Sequence, residues 1–270
     1  MPSRMPVVFV SHGAPDALLK APSTVACWRK IGASTPKPQA ILVLSAHWEA
    51  ALPTISLSEQ PETLYDFAGF ARDLYTRTYP APGAPALARR VAQRFAETGM
   101  ALQTDPRRGL DHGAWVPLSV MFPAADVPVT QLALPHLGDP ADLLAIGTIL
   151  RPLREEGILI LASGAITHNF GWLRWQENES QTPMPHAKAF ADWVGERIGR
   201  RDLQALADYR QSPWGAEAHP SAEHLMPLFA ALGAADDDPA TRHQPAYTYG
   251  GLAMDSFVWA SGSPAAHERI

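Results

Sequence analysis

A single cysteine, Cys27, stands in 270 residues. The chain therefore has no disulfide of its own and no thiolate framework for zinc, so any metal must be held by histidine and carboxylate. Basic charge is scarce as well: 22 Lys and Arg face 27 Asp and Glu, for a formal charge of −5, with no basic run. That excludes the phosphate-neutralising stripe of a nucleic-acid binder. Long apolar runs are missing too. The opening MPSRMPVVFVSHG ends its apolar stretch at Ser11-His12-Gly13, too short for a signal core or a membrane span, so the expectation is a cytoplasmic protein with no membrane partner.

What is present is the composition of a folded protein with a large core, 46% hydrophobic and 18% charged. No composition break suggests a boundary, and one domain over 1–270 is expected. Short apolar runs rich in β-branched residues lie at Val7–Val10, Ile41–Leu44, Val129–Leu134 and Ile158–Leu161. Stretches of helical spacing, Ala84–Phe95, Ala141–Leu153 and Ala187–Ile198, lie between or after them. This alternation predicts an α/β fold, a central mostly parallel or mixed sheet with helices on both faces. Ala246–Gly250 and Leu252–Trp259 read as two strands around Gly250-Gly251, the antiparallel part of that sheet. Glu59–Gly69, Asp105–Gly113 and Gly171–Pro185 mix Pro, Gly and aromatics and read as site-forming loops.

The placement of the ten histidines is more informative than their number. The first strand runs into Ser11-His12-Gly13, the second into Ser45-Ala46-His47-Trp48, and the strand ending at Leu161 leads to Ser163-Gly164 and on to His168-Asn169. Ligands of open α/β sheets sit beyond the carboxyl ends of strands, so these three side chains can converge on one crevice. The competing use of any one of them is as a hydrogen-bonded histidine closing a strand. His112, in Asp111-His112-Gly113-Ala114-Trp115, reads as following an Asp N-cap and facing solvent. His219-Pro220-Ser221 reads as a helix start with Glu223 and His224 in its first turns. Neighbouring helix positions point about 100° apart, so only one of that pair would face a metal. Imidazoles with a carboxylate and no thiolate suit Fe(II) or Zn(II) alike.

Together these segments resemble the class III extradiol ring-cleaving dioxygenases, in the branch of 4,5-DOPA dioxygenase-like proteins. The resemblance runs through Val8–Gly13, Ser45–Trp48, Tyr65–Phe70, Tyr79–Gly83, Asp111–Trp115, Ser163–Asn169, Glu223-His224 with Pro227-Leu228, and Gly251–Asp255. It implies one Fe(II) per chain, with Zn(II) as an alternative occupant, held by His12, His47 and His224. It also implies His168 as catalytic acid and base and His112 as a second active-site histidine. Relatives that cleave protocatechuate use a Glu as third ligand, which keeps Glu223 as the reserve. His219 matches no ligand position and reads as structural.

The implied substrates are a catechol and O2, the ring being opened beside the diol to a semialdehyde. A phenol with an unperturbed pKa near 10 must lose protons to bind a metal through both oxygens, and a histidine near 6.5 suits their acceptance and return. Trp48, Trp115, Phe67 and Phe70 are candidates for the wall around a flat ring, with core packing as the competing use of at least two. Two other readings stand beside this one: a zinc hydrolase on the same three histidines, and a non-enzymatic binding protein of the same superfamily.

Overall fold

The computed structural model describes residues 4–136, 138–262 and the strand 266–269. Its centre is a seven-stranded sheet of β1 (Val7–Ser11), β2 (Ala40–Ser45), β3 (Val129–Gln131), β4 (Ile158–Gly164), β5 (Ala240–Gln244), β6 (Ser256–Trp259) and β7 (Ala266–Arg269). The spatial order is β7-β5-β6-β1-β4-β2-β3. β1, β4, β2 and β3 pair in parallel, while β6 pairs antiparallel with both β1 and β5. The sheet is therefore mixed, as the sequence suggests, in a single α/β domain.

Every residue of β1, β2 and β4 is buried, and successive side chains go to opposite faces. Val7, Phe9, Leu42, Leu44, Ile160 and Ala162 join one core with helices α2 (Pro85–Thr98), α4 (Pro140–Leu150), α5 (Pro185–Arg200) and α6 (Met226–Ala235). Val8, Val10, Ile41, Val43, Leu159 and Leu161 join the other with α1 (Pro22–Ser34) and α3 (His112–Met121). Strands covered on both faces show no polar alternation, which is why they read as short unbroken apolar runs. Among the described residues no helix is long and apolar enough to cross a membrane.

Three expectations need correction. The Gly250-Gly251 hairpin does not form in the sheet: Tyr247-Thr248 pairs with Glu179-Ser180 in a separate two-stranded ribbon, and only β6 joins the sheet. The predicted run Val129–Leu134 is broken, because Leu134 leaves β3 to pair with Glu49. The helix expected from Pro220 begins only at Met226, so Glu223 and His224 occupy the turn before it.

Candidate metal centre

Register brings the site together. Ser11 of β1 lies opposite Gly164 of β4, and Ser45 of β2 opposite Ser163, so the three strands end at one level. The residue after β1 and the second residue after β2 place His12 and His47 side by side, with their Nε2 atoms 2.9 Å apart. The third ring, His224, arrives from the turn before α6, which is bonded to the sheet by Ala165 N donating to the His224 carbonyl at 2.8 Å. Gly164 permits this approach: a Cβ there would lie 2.2 Å from that same carbonyl oxygen. Ring centroids of His12, His47 and His224 are then 4.8 to 5.4 Å apart.

The outward nitrogens of the three rings all face an acceptor, two of them at hydrogen-bond distance. His12 Nδ1 is 2.9 Å from Ser163 Oγ, whose proton goes to the Gly113 carbonyl at 2.5 Å, so the serine accepts from the imidazole. His224 Nδ1 meets Glu223 Oε1 at 2.9 Å. His47 Nδ1 faces Asp66 Oδ2 at 3.5 Å. With acceptors fixing the protons of His12 and His224 on Nδ1, the Nε2 lone pairs of those two rings turn inward, and that of His12 lies 2.9 Å from His47 Nε2. Ligand nitrogens about 2.1 Å from one metal at a right angle would be about 3.0 Å apart, so the residues present fit such an ion.

Two other groups have donor atoms as close, His47 with Asp66 and His112, and His168 with Glu223 and His224. Their proximity is accounted for by hydrogen bonds, His112 Nδ1 to Asp66 at 3.0 Å and His224 Nδ1 to Glu223 at 2.9 Å. The three inward nitrogens converge with no carboxylate among them, and the contact between them is that of His12 with His47.

Burial keeps these rings neutral. Desolvation, then the neighbouring imidazoles, holds His12 and His224 well below the ordinary histidine value. His47 is brought to about 4 by desolvation and His112, against the opposing pull of Asp111 and Asp66. Neutral imidazole is the form that binds a metal.

His112 and His168 flank this centre. His112 is the first residue of α3 and packs on His47 with centroids 3.9 Å apart. Asp111 is indeed the N-cap, accepting from Ala114 N, but His112 is buried and not solvent-facing. Asp66 holds it, accepting from its backbone N at 2.9 Å and meeting its Nδ1 at 3.0 Å. Burial would raise the Asp66 carboxyl, but the bonds from His112 outweigh it and bring it to about 2, fully ionised at neutral pH. His168 stacks on His224 at 3.4 Å between centroids and 10° between planes, its Nδ1 4.0 Å from Glu223. Desolvation lowers its pKa, with Glu223 opposing. His219 lies apart, fully buried, its Nε2 donating to the Ile166 carbonyl at 2.9 Å.

Two residues with no assigned role in the sequence reading, Asp66 and Ser163, and the N-cap Asp111 support the site. Asp66 joins His112 to His47. Ser163 sets the proton of His12. Asp111, completely buried, accepts from Ser45 Oγ at 2.7 Å, Arg108 at 2.9 Å and Gln131 at 2.9 Å, pinning the turn that carries His47. A small cavity of about 230 Å³ opens over the histidines, walled by Phe67 and Phe70 on one side and Phe170, Leu173 and Trp175 on the other. Two of its walls come from loops 59–69 and 171–185, as expected. Trp48 and Trp115 are buried in the protein and do not line it.

With this geometry in hand, comparison with known proteins is decisive. Residues 7–258 match the family described as the catalytic LigB subunit of aromatic ring-opening dioxygenase. The chain belongs to this family. It is 36% identical over 256 residues to the 4,5-DOPA dioxygenase extradiol of Escherichia coli K12, covering 93% of each chain. It is 38% identical over 242 residues to the protein of the same name from Beta vulgaris, covering 85% of this chain and 87% of the other. A crystal structure of an uncharacterized protein from Escherichia coli K12 superposes with a TM-score of 0.78 at 34% identity, over 95% of this chain and all of that one. As a member of the LigB family the chain is an extradiol-type dioxygenase with a metal-capable histidine centre.

Proposed function

We propose that the chain is an Fe(II)-dependent extradiol dioxygenase that opens the ring of a DOPA-like catechol with O2. In this reading His12, His47 and His224 hold the metal. The observation that carries it is the convergence of three imidazoles, with the His12 and His47 Nε2 atoms 2.9 Å apart and the other ring nitrogens of His12 and His224 each on an acceptor. The relatives' name supports the substrate class. A bound Fe(II) supplies Lewis acidity toward the diol and electron transfer between substrate and O2.

The protein's own part is proton handling and orientation. His168, neutral at pH 7, accepts a phenolic proton as the diol binds and returns it later; its stacking on His224 sets its ring beside the centre. Glu223, 4.0 Å from His168 Nδ1, favours the imidazolium that this transfer creates. His112, its Nδ1 turned to Asp66, offers the opposite side of its ring to the cavity. The aromatic walls hold a flat ring and exclude water.

The test is reconstitution with Fe(II) under anaerobic conditions, then exposure to O2 with a catechol panel. A visible-absorbing semialdehyde should form only with O2 present. Turnover that is the same without O2, or with Zn(II) in place of Fe(II), would instead mean a hydrolase.

A further inference from the structure

Within the reading just given, the cavity wall speaks to the side chain of the substrate. A catechol bound with its diol toward the histidines must send the opposite edge of its ring to the mouth, between Phe67 and Phe70 on one wall and Phe170 and Trp175 on the other. Phe170 and Trp175 are 65% and 47% exposed, and their centroids are 6.1 Å apart. Phe67 and Phe70 meet edge to face at 5.7 Å. Exposed aromatic faces at a cavity rim have a negative quadrupole to offer.

The charges point the same way. Among the described residues the one ionisable side chain lining the cavity besides histidines is Asp66, and its carboxylate is held by His112. Among the described residues no Lys or Arg lines it, and those nearby are engaged elsewhere. Lys20 pairs with Asp16 at 2.9 Å, Arg108 with Asp111 at 2.9 Å, and Arg174 with Glu177 at 3.2 Å. A side-chain carboxylate entering this mouth would lose water and gain no counter-charge, whereas an ammonium would meet aromatic faces.

We propose that the site selects catechols bearing a cationic amine on the side chain and discriminates against catechol carboxylic acids. DOPA carries both groups and does not separate the two effects. Dopamine and 3,4-dihydroxyphenylacetate do.

The experiment compares kcat/KM for these two at pH 7 on the Fe(II)-loaded enzyme, and in parallel the binding of tyramine and 4-hydroxyphenylacetate to the metal-free protein by calorimetry. Dopamine should be favoured by about tenfold or more, the scale of a desolvated cation–aromatic contact. Tyramine should bind more tightly than the acid. Trp175→Arg should shrink or reverse both preferences, and Phe70→Arg serves the same purpose if the first variant is insoluble. Equal or greater kcat/KM for the acid overturns the inference while leaving ring cleavage intact. Absence of turnover with tyramine still bound preferentially overturns ring cleavage and leaves the inference standing. Preferences unmoved in a folded arginine variant overturn the role of the aromatic mouth.

Discussion

Two buried polar clusters in this molecule solve the same problem in opposite ways. Arg154, fully buried, spends its guanidinium on the carbonyls of Met5, Ala234 and Ala235 and on the Asp238 carboxylate. Its charge and donors are answered within the protein, and the result ties the start of β1 to the end of α6. The histidine centre is less enclosed, with His12 and His224 buried and His47 half-buried, yet its inward nitrogens are answered by nothing but each other. A buried polar group without a partner costs stability, and a fold keeps one where something else is to complete it. The first cluster is architecture, and the second presents ligating atoms to a cavity.

The sharpest way to break this comparison is to remove one member from each cluster. His12→Ala, His47→Ala or His224→Ala should abolish metal uptake, read by metal analysis, while the protein stays folded. Arg154→Met should do the reverse. It should cost about 3–5 kcal/mol of stability by leaving Asp238 and three carbonyls short of donors, with metal content unchanged once the protein is folded. The same assay decides the third ligand: metal lost in Glu223→Ala but kept in His224→Ala would move the ligation to the carboxylate.

Next in size is His168, whose ring is in the centre without belonging to the three inward nitrogens. His168→Ala should keep iron and still bind catechol, and turnover should fall by about 10² to 10⁴, the usual cost of losing a positioned base. Its acidic limb in the pH–rate profile, set by imidazole protonation, should flatten. Loss of iron with an unchanged acidic limb would make His168 a ligand and pass the proton role to His112.

A smaller effect tests whether the outward nitrogens matter. Asp66→Asn keeps the size of the side chain but removes the charge facing His112 and His47, so metal affinity should weaken by about 10- to 100-fold. Asp66→Glu should restore part of it. Affinity unchanged in the Asn variant would leave Asp66 as no more than a cap on the His112 backbone.

How much of this was legible in advance depended on whether a residue's environment was local. β1, β2 and β4 are unbroken apolar runs because both faces are covered, and the histidines that follow them stood out for that reason. β5, with the sequence Ala-Thr-Arg-His-Gln, carried no strand signal: Arg242 is buried there with Asp255, just before β6, at 2.6 Å and the Ala191 carbonyl at 3.0 Å. The hairpin at Gly250-Gly251 was misread because Tyr247-Thr248 finds its partner nearly seventy residues earlier, at Glu179-Ser180. The turn at His224 was misread as helix because Pro220 and Ser221 are good helix starters, whereas Ser221 Oγ donates to Glu223 instead, at 3.0 Å. Asp66 looked like any loop acid; its role exists only once α3 brings His112 to it.

The smallest expected effect falls on His219, which is as buried as Arg154 and is held through one ring nitrogen, its Nε2 on the Ile166 carbonyl. Burial, opposed by its bond to the Ile166 carbonyl, brings its pKa to about 4, against about 6.5 in an unfolded chain. Between those values the unfolded chain takes up a proton that the folded one refuses, so stability is complete above about pH 6.5 and declines as pH falls toward 4. His219→Ala should make the stability of the metal-free protein less steep in that window, by up to one proton. It should keep full metal occupancy, and activity should fall less than tenfold, under about 1.4 kcal/mol of barrier. The link that remains to the centre is mechanical, because the Ile166 carbonyl it holds is two residues from His168. A loss of metal in this variant would place His219 among the ligands and erase its difference from the inward three, whereas a loss of turnover alone would measure how tightly that link positions the base.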